Sequence, residues 1–276
     1  MTATLALTFD NLGEAAELEM GALPADAALG GHRTATEVLP ALLDRLDGRG
    51  IAATFFVEGL NAELYPDLLR EVAGRGHEVA YHAWRHEQWS ALDAAGQAEN
   101  LARGVAAFER IGIEIAGLRP PGGLLGPGGL GVLREAGLRY CSPAGAGAGV
   151  EDGVALLPFQ WRHLDASCVL PPLAAVREQI AGSPDPIEPM TFVDSLRAEI
   201  DRLIDDDGYM AIVLHPFMLD WLGEQQLNVL LDRIAAAPAG EAGEIRVARF
   251  DDVADRVLSH PGRFQDGTAL DTTTWA

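Results

Sequence analysis

Side chains capable of acid–base or metal chemistry gather at four places in this sequence, each just after a short apolar run. The run Leu5-Ala6-Leu7-Thr8-Phe9 leads into Asp10-Asn11. Another ends at His82 and continues Ala83-Trp84-Arg85-His86-Glu87. A third leads into Arg119-Pro120-Pro121-Gly122, and the run 210–214 delivers His215-Pro216. The i, i+4 spacing of His82 and His86 would put both imidazoles on one side of a helical turn, about 5–6 Å apart at Cβ. That suits two ligands of one divalent ion, with Zn–N distances of about 2.0–2.1 Å. An isolated pair of this kind is better explained by His86 capping or packing a helix start and His82 sitting satisfied in the core. Here an aspartate and a further histidine stand at equivalent strand ends, and the site is the stronger reading.

These residues are scattered along the chain, so the elements between them must bring them together. Apolar, β-rich runs at 4–9, 52–57, 78–82, 117–119, 140–142, 154–159, 210–215 and 245–250 read as strands. Segments of helical period at 36–49, 62–75, 92–111, 128–136, 192–206 and 225–236 separate them. Several strands are apolar without alternation, as parallel strands buried on both faces are. Repeated strand–helix alternation predicts an α/β barrel or a doubly wound sheet. In a barrel the C-terminal strand ends share one face, where active sites are built, and Asp10, His82, Arg119 and His215 would meet there. No boundary divides residues 1–276, which read as one barrel domain with a polar, surface-bound or frayed tail after about residue 259.

Composition narrows the chemistry. All 20 basic residues are arginine, which excludes a Schiff-base enzyme, a P-loop and a kinase-type lysine–glutamate pair. With 41 acidic residues the net charge is −21, and neither nucleic acid nor an anionic membrane is an expected partner. Nothing reaches the length of a spanning segment, and the N-terminus lacks a basic region followed by a long apolar one. The expected compartment is therefore the cytoplasm, with Cys141 and Cys168 as buried free thiols, although one disulfide is possible. Gly126-Pro127-Gly128-Gly129-Leu130-Gly131 spells a G-x-G-x-x-G, but Pro120-Pro121-Gly122-Gly123 separates it from the preceding strand. It reads as loop chemistry, and no nicotinamide cofactor is expected. Neither a zincin H-E-x-x-H nor a G-x-S-x-G elbow occurs.

In order along the chain, Thr8-Phe9-Asp10, His82-x-x-x-His86, Arg119-Pro120-Pro121-Gly122 and Leu214-His215-Pro216 resemble the motifs of the polysaccharide deacetylases. These are the NodB-homology or carbohydrate esterase family 4 enzymes. Ala53-Thr54-Phe55-Phe56-Val57 and Gly76-His77-Glu78-Val79 are similar to theirs as well, so the likeness spans about residues 4–220. The resemblance implies a distorted (β/α) barrel of seven or eight strands and metal-dependent hydrolysis of acetamido groups. It casts Asp10 as the general base that deprotonates a metal-bound water, and His82 and His86 as metal ligands. Arg119 then orients the base through a charge-assisted pair, and His215 is the general acid that protonates the departing amine. Asp165 is a candidate carboxylate partner for His215, a surface aspartate being the alternative.

One position departs from the pattern. Where the family usually has a second aspartate as third metal ligand, this chain has Asn11, whose amide oxygen lacks the charge that helps hold zinc. A weakened site, ligation by Asp10 itself, substitution by a carboxylate such as Glu14, or lost catalysis would follow. The expectation is a hydrolase of non-peptide C–N bonds that uses a divalent ion, zinc first, on an acetamido sugar. A small-molecule amidohydrolase of the cyclic amide or ureide type and a non-catalytic carbohydrate-binding relative are the alternatives. Oligomeric state is not legible.

Overall fold

A computed structural model of the chain describes residues 2–24, 26–206, 208–237, 244–264 and 268–273. Its strands are β1 (Thr2–Asp10), β2 (Thr54–Val57), β3 (Glu78–Tyr81), β4 (Gly117–Leu118), β5 (Tyr140–Cys141), β6 (Gly145–Ala146), β7 (Gly149–Glu151), β8 (Val154–Leu156), β9 (Tyr209–Leu214), β10 (Glu244–Val247) and β11 (Ala269–Leu270). Each apolar run singled out in the sequence overlaps one. The main sheet runs β10-β1-β2-β3-β4-β5-β8-β7, and β9 also pairs with β1. Every pairing in it is parallel except the β7–β8 hairpin. An isolated parallel bridge between Leu164 and Val213 joins the segment after β8 to β9, so the sheet curls into the expected distorted (β/α) barrel.

Strand alternation sorts side chains between the two sides of this sheet. Leu5, Leu7, Phe9, Phe55, Val57, Val79 and Tyr81 belong to the core beneath the helices. Ala6, Phe56, Ala80, Tyr140, Ala155 and Val213 form the second core, inside the barrel. The inward face of β1 therefore continues through Thr8 to Asp10, that of β2 to Glu58, and that of β3 from Glu78 to His82.

The helices are α1 (Ala15–Glu19), α2 (Leu39–Asp47), α3 (Gly59–Leu64), α4 (Pro66–Gly74), α5 (Ala94–Arg110), α6 (Gly129–Glu135), α7 (Asp165–Val169), α8 (Ala174–Ala181), α9 (Pro189–Asp206), α10 (Leu219–Leu222), α11 (Glu224–Ala235) and α12 (Phe250–Ser259). A π-helical turn, Thr34–Val38, precedes α2. The single helix expected over 62–75 is two, because Pro66 has no N–H to continue a ladder and instead begins α4. The strand expected over 245–250 ends at Val247, and Phe250 starts α12, whose Phe250, Val253, Ala254 and Val257 pack into the interior core. Beyond residue 259 the described tail is more ordered than its polarity implies, since β11 pairs antiparallel with β6. Cys141 and Cys168 are free and buried. Among the described residues no helix is long and apolar enough to cross a membrane.

Candidate active site

Register alone brings the predicted residues to one rim. Asp10 pairs with Phe56 across β1–β2, Val57 with Tyr81 across β2–β3, and Tyr81 with Leu118 across β3–β4. Asp10 thus lies at the same end of the sheet as His82 and Arg119, the residues that follow β3 and β4. Phe9 pairs with Leu214, which places His215 there too.

Asp10 and Arg119 form a buried ion pair, Oδ1 accepting from Nη1 at 2.6 Å with both side chains under 5% exposed. The rest of the guanidinium is equally committed. Nη1 also donates to Thr8 Oγ1 at 2.8 Å, while Nε and Nη2 donate to Ser142 Oγ at 3.1 Å. The ring of Phe56 lies 4.1 Å beneath its carbon. This fixed fork orients Asp10 and leaves its Oδ2 free of Arg119. That oxygen stands 3.9 Å from His82 Nε2.

His82 Nδ1–H donates to the Arg119 carbonyl at 2.7 Å, an assignment that follows from the acceptor and leaves Nε2 with its lone pair. The His86 ring centroid is 4.9 Å from that of His82. These rings do not meet across a helical turn as the spacing implied. Residues 82–86 are an irregular bend in which Ala83 (φ 62°) and His86 (φ 73°) adopt left-handed conformations that fold the chain back. Burial pushes both imidazoles down to about 3, so they are neutral at ordinary pH, the state in which histidine binds metals.

His215 is held differently. Its backbone N–H donates to Asp165 Oδ2 at 2.7 Å and its Nδ1–H to Asp165 Oδ1 at 2.6 Å. Burial opposes protonation here, but the charge and hydrogen bond of Asp165 outweigh it, and the His215 pKa is raised above the usual histidine value. Asp165 is no surface residue: it is fully buried at the start of α7. Nε2 of His215 is left for whatever enters the site, and the partly exposed ring of Phe217 sits 5.2 Å away at the mouth.

Asn11 lies next to Asp10 with φ 62°, a conformation asparagine tolerates, and its buried Oδ1 has no hydrogen-bond partner. A buried amide oxygen without a donor is costly unless something else occupies it. Among the described residues no three His, Cys, Asp or Glu side chains gather closely enough to hold an ion. The neutral imidazoles of His82 and His86 and the unpartnered Asn11 Oδ1 are donor types that a divalent ion accepts, with the amide oxygen the candidate third ligand. Glu14 cannot take that place. Its Oε2 accepts from Tyr65 Oη at 2.6 Å, and its Oε1 accepts from the N–H groups of Gly30 and Gly31 at 2.8 and 3.3 Å.

Sequence reasoning missed Glu58, a wholly buried carboxyl just past β2. Burial, with the charge of Asp10 adding to it, pushes its pKa up to about 8. The signal was present in the period-2 continuation of Thr54 and Phe56. Trp84 and Trp89 are buried in the core beneath the helices. The glycine-rich 126–131 segment packs on Gln97, whose Oε1 accepts from Gly128 N–H at 2.8 Å where no Cβ would fit. Residues 126–128 are loop, as expected, and Gly129 begins α6.

The family model for polysaccharide deacetylase matches residues 2–141. A peptidoglycan-N-acetylglucosamine deacetylase of Bacillus cereus is 28% identical over 88 residues, covering 32% of this chain and 32% of that protein. The chain thus matches about a third of that relative's length. A solved polysaccharide-deacetylase-type protein of Mycobacterium smegmatis superposes with a TM-score of 0.76 at 27% identity, covering 99% of this chain and 94% of that one. The allantoinase Puue superposes with a TM-score of 0.68 at 18% identity, covering 94% and 91%, a likeness of fold.

Proposed function

The chain belongs to the polysaccharide deacetylase family, and on that premise we propose that it removes an N-acetyl group from an amino sugar, breaking the amide C–N bond and releasing acetate. One observation carries the reading. Two buried pairs, Asp10–Arg119 and His215–Asp165, each leave a single atom uncommitted beside two neutral imidazoles. Asp10 Oδ2 is a proton acceptor with its carboxylate locked in place. His215 Nε2 is a proton donor whose charged form Asp165 stabilises. Hydrolysis of an amide needs both, a base to take a proton from water and an acid to supply one to the departing nitrogen.

The family is one of divalent-metal-dependent hydrolases. His82, His86 and Asn11 would hold the ion, which when bound polarises the amide carbonyl and lowers the pKa of water. Zinc is the first ion to test, although the uncharged Asn11 oxygen favours it less than a carboxylate would. Arg119 positions rather than reacts, its donors being spent on Asp10, Thr8 and Ser142.

The test is acetate release from N-acetylglucosamine oligomers after chelation and after re-addition of Zn²⁺, Co²⁺ or Ni²⁺. Release that depends on the added ion supports the reading. Oligomer binding without release under any ion would replace it with a carbohydrate-binding protein, and turnover of cyclic ureides instead would make the chain an amidohydrolase of small molecules.

A further inference from the structure

The turn that carries Asn11 is held by residues outside the site. Glu58 Oε2 accepts from the Leu12 N–H at 3.4 Å and from Asn61 Nδ2 at 2.8 Å, with Glu58 and Asn61 both fully buried. Asn61 Oδ1 in turn lies against Gly13, where a Cβ would approach it to 2.8 Å, so only glycine lets the turn sit this close. The same segment grips the histidine bend through its backbone: Gly59 N–H donates to the Ala83 carbonyl at 2.9 Å and Leu60 N–H to that of Trp84 at 3.0 Å. Residues 58–61 are therefore a strap between the turn bearing Asp10 and Asn11 and the bend bearing His82 and His86.

A left-handed residue such as Asn11 persists only where its surroundings over-determine it, since that conformation costs about 1 kcal/mol or more. The Leu12 N–H is the group immediately past it. We infer that Glu58 is a positioning residue for the site: by holding the Leu12 N–H it keeps Asn11 in the left-handed conformation that presents its unpartnered amide oxygen beside Asp10. The consequence for ion binding rests on the reading of Asn11 as a ligand; the consequence for the turn does not.

Two substitutions separate the clamp from the charge. Glu58→Gln keeps an oxygen that can accept from both Leu12 and Asn61, whereas Glu58→Leu fills the same volume without an acceptor. Two readouts are taken on the full chain, with melting temperature as the check on folding: amide hydrogen exchange at residues 11–13, and Co²⁺ affinity by calorimetry. In Glu58→Leu, Leu12 should exchange at least tenfold faster and Co²⁺ should bind about 10–100-fold more weakly, the usual penalty for losing the support behind a ligand. Glu58→Gln should stay within about threefold of wild type on both. Unchanged Leu12 exchange in Glu58→Leu overturns the inference, as does an equal loss of Co²⁺ affinity in the leucine and glutamine variants. If the wild-type chain binds no Co²⁺, the ligand role of Asn11 fails, and the exchange measurement alone decides whether Glu58 sets the turn.

Discussion

The barrel interior buries a carboxyl group at each end, and the two are treated in opposite ways. At the floor Glu78 has both oxygens satisfied: Oε2 accepts from Thr54 Oγ1 at 2.7 Å and from Asp251 N–H at 2.9 Å, and Oε1 from Tyr140 Oη at 2.8 Å. Thr54 Oγ1 also accepts from Phe250 N–H, so the network fastens the start of α12 across the bottom of the barrel. At the rim Glu58 spends Oε2 on the Asn11 turn while its Oε1, like the Oδ1 atoms of Asn11 and Asn61, has no partner. Burial raises the pKa of both carboxyls, to about 7 for Glu78 and about 8 for Glu58. A perturbed pKa therefore does not distinguish these two carboxyls; their unspent hydrogen-bonding capacity does. The Glu78 network at the floor is closed and holds the fold, whereas Glu58, Asn11 and Asn61 at the rim keep unspent acceptors.

If that distinction is sound, the largest effects on turnover come from the rim with little loss of stability. Asp10→Asn leaves Arg119 an amide oxygen to donate to but removes the base, and acetate release should fall about 10⁴-fold. The melting temperature should move by no more than a few degrees; a variant that melts early and keeps its activity would make Asp10 a structural residue. Asp165→Asn should cost about 10³-fold in kcat, since the imidazolium of His215 loses its partner. It also carries a pH signature. Asp165 raises the His215 pKa against burial, so without it that pKa falls and the alkaline limb of the rate profile moves to lower pH. An alkaline limb that stays in place would separate His215 from proton donation.

Much of this division could be read from residues before the fold was known. The strand-end positions of Asp10, His82, Arg119 and His215 sufficed to place them on one rim, because parallel strands in a barrel all end on the same face. Asp165 was legible only as a candidate, since nothing local says that an aspartate in a short helix will meet a histidine 50 residues away. The 82–86 bend was misread as helical because i, i+4 spacing is compatible with any chain reversal that brings two rings together, and Ala83 gives no sign of its left-handed conformation. Glu58 and Glu78 were passed over for a related reason. The alternations 54, 56, 58 and 78, 80, 82 were there to be read, but which of a strand's two faces lies inside the barrel is set by tertiary pairing.

At the floor, effects should fall on stability and spare turnover. In the folded chain Glu78 holds its proton up to about pH 7, while its ordinary value is 4.5. Below pH 4.5 both states are protonated and the group is neutral to stability. Between pH 4.5 and 7 only the unfolded chain ionises, so stability falls as pH rises, by about 3 kcal/mol in all. Glu78→Gln can offer its amide oxygen to Thr54 and Asp251 and its N–H to Tyr140 Oη. It should lack this decline, as urea unfolding of both proteins at pH 5 and pH 8 would reveal. Equal pH dependence in the two proteins would mean that Glu78 is ionised in the folded chain.

The smallest effect tests the floor without touching a titrating group. Gly117 begins β4, and a Cβ there would lie 2.3 Å from the ring of Tyr140, whose hydroxyl donates to Glu78. Gly117→Ala must push that ring aside, and Tyr140 is wholly buried between Phe56 and Phe250, with ring centroids at 6.3 and 5.7 Å. Overpacking of this kind costs about 1–3 kcal/mol. Only Leu118 separates Gly117 from Arg119, so kcat held within about twofold, with the assay run well below the melting temperature, is the outcome that keeps the disturbance at the floor. A variant that keeps its stability but loses turnover would couple floor to rim and erase the division between them. A stability loss with turnover intact leaves Tyr140 and Glu78 as the fastening of α12, and the chemistry at the opposite end with Asp10 and His215.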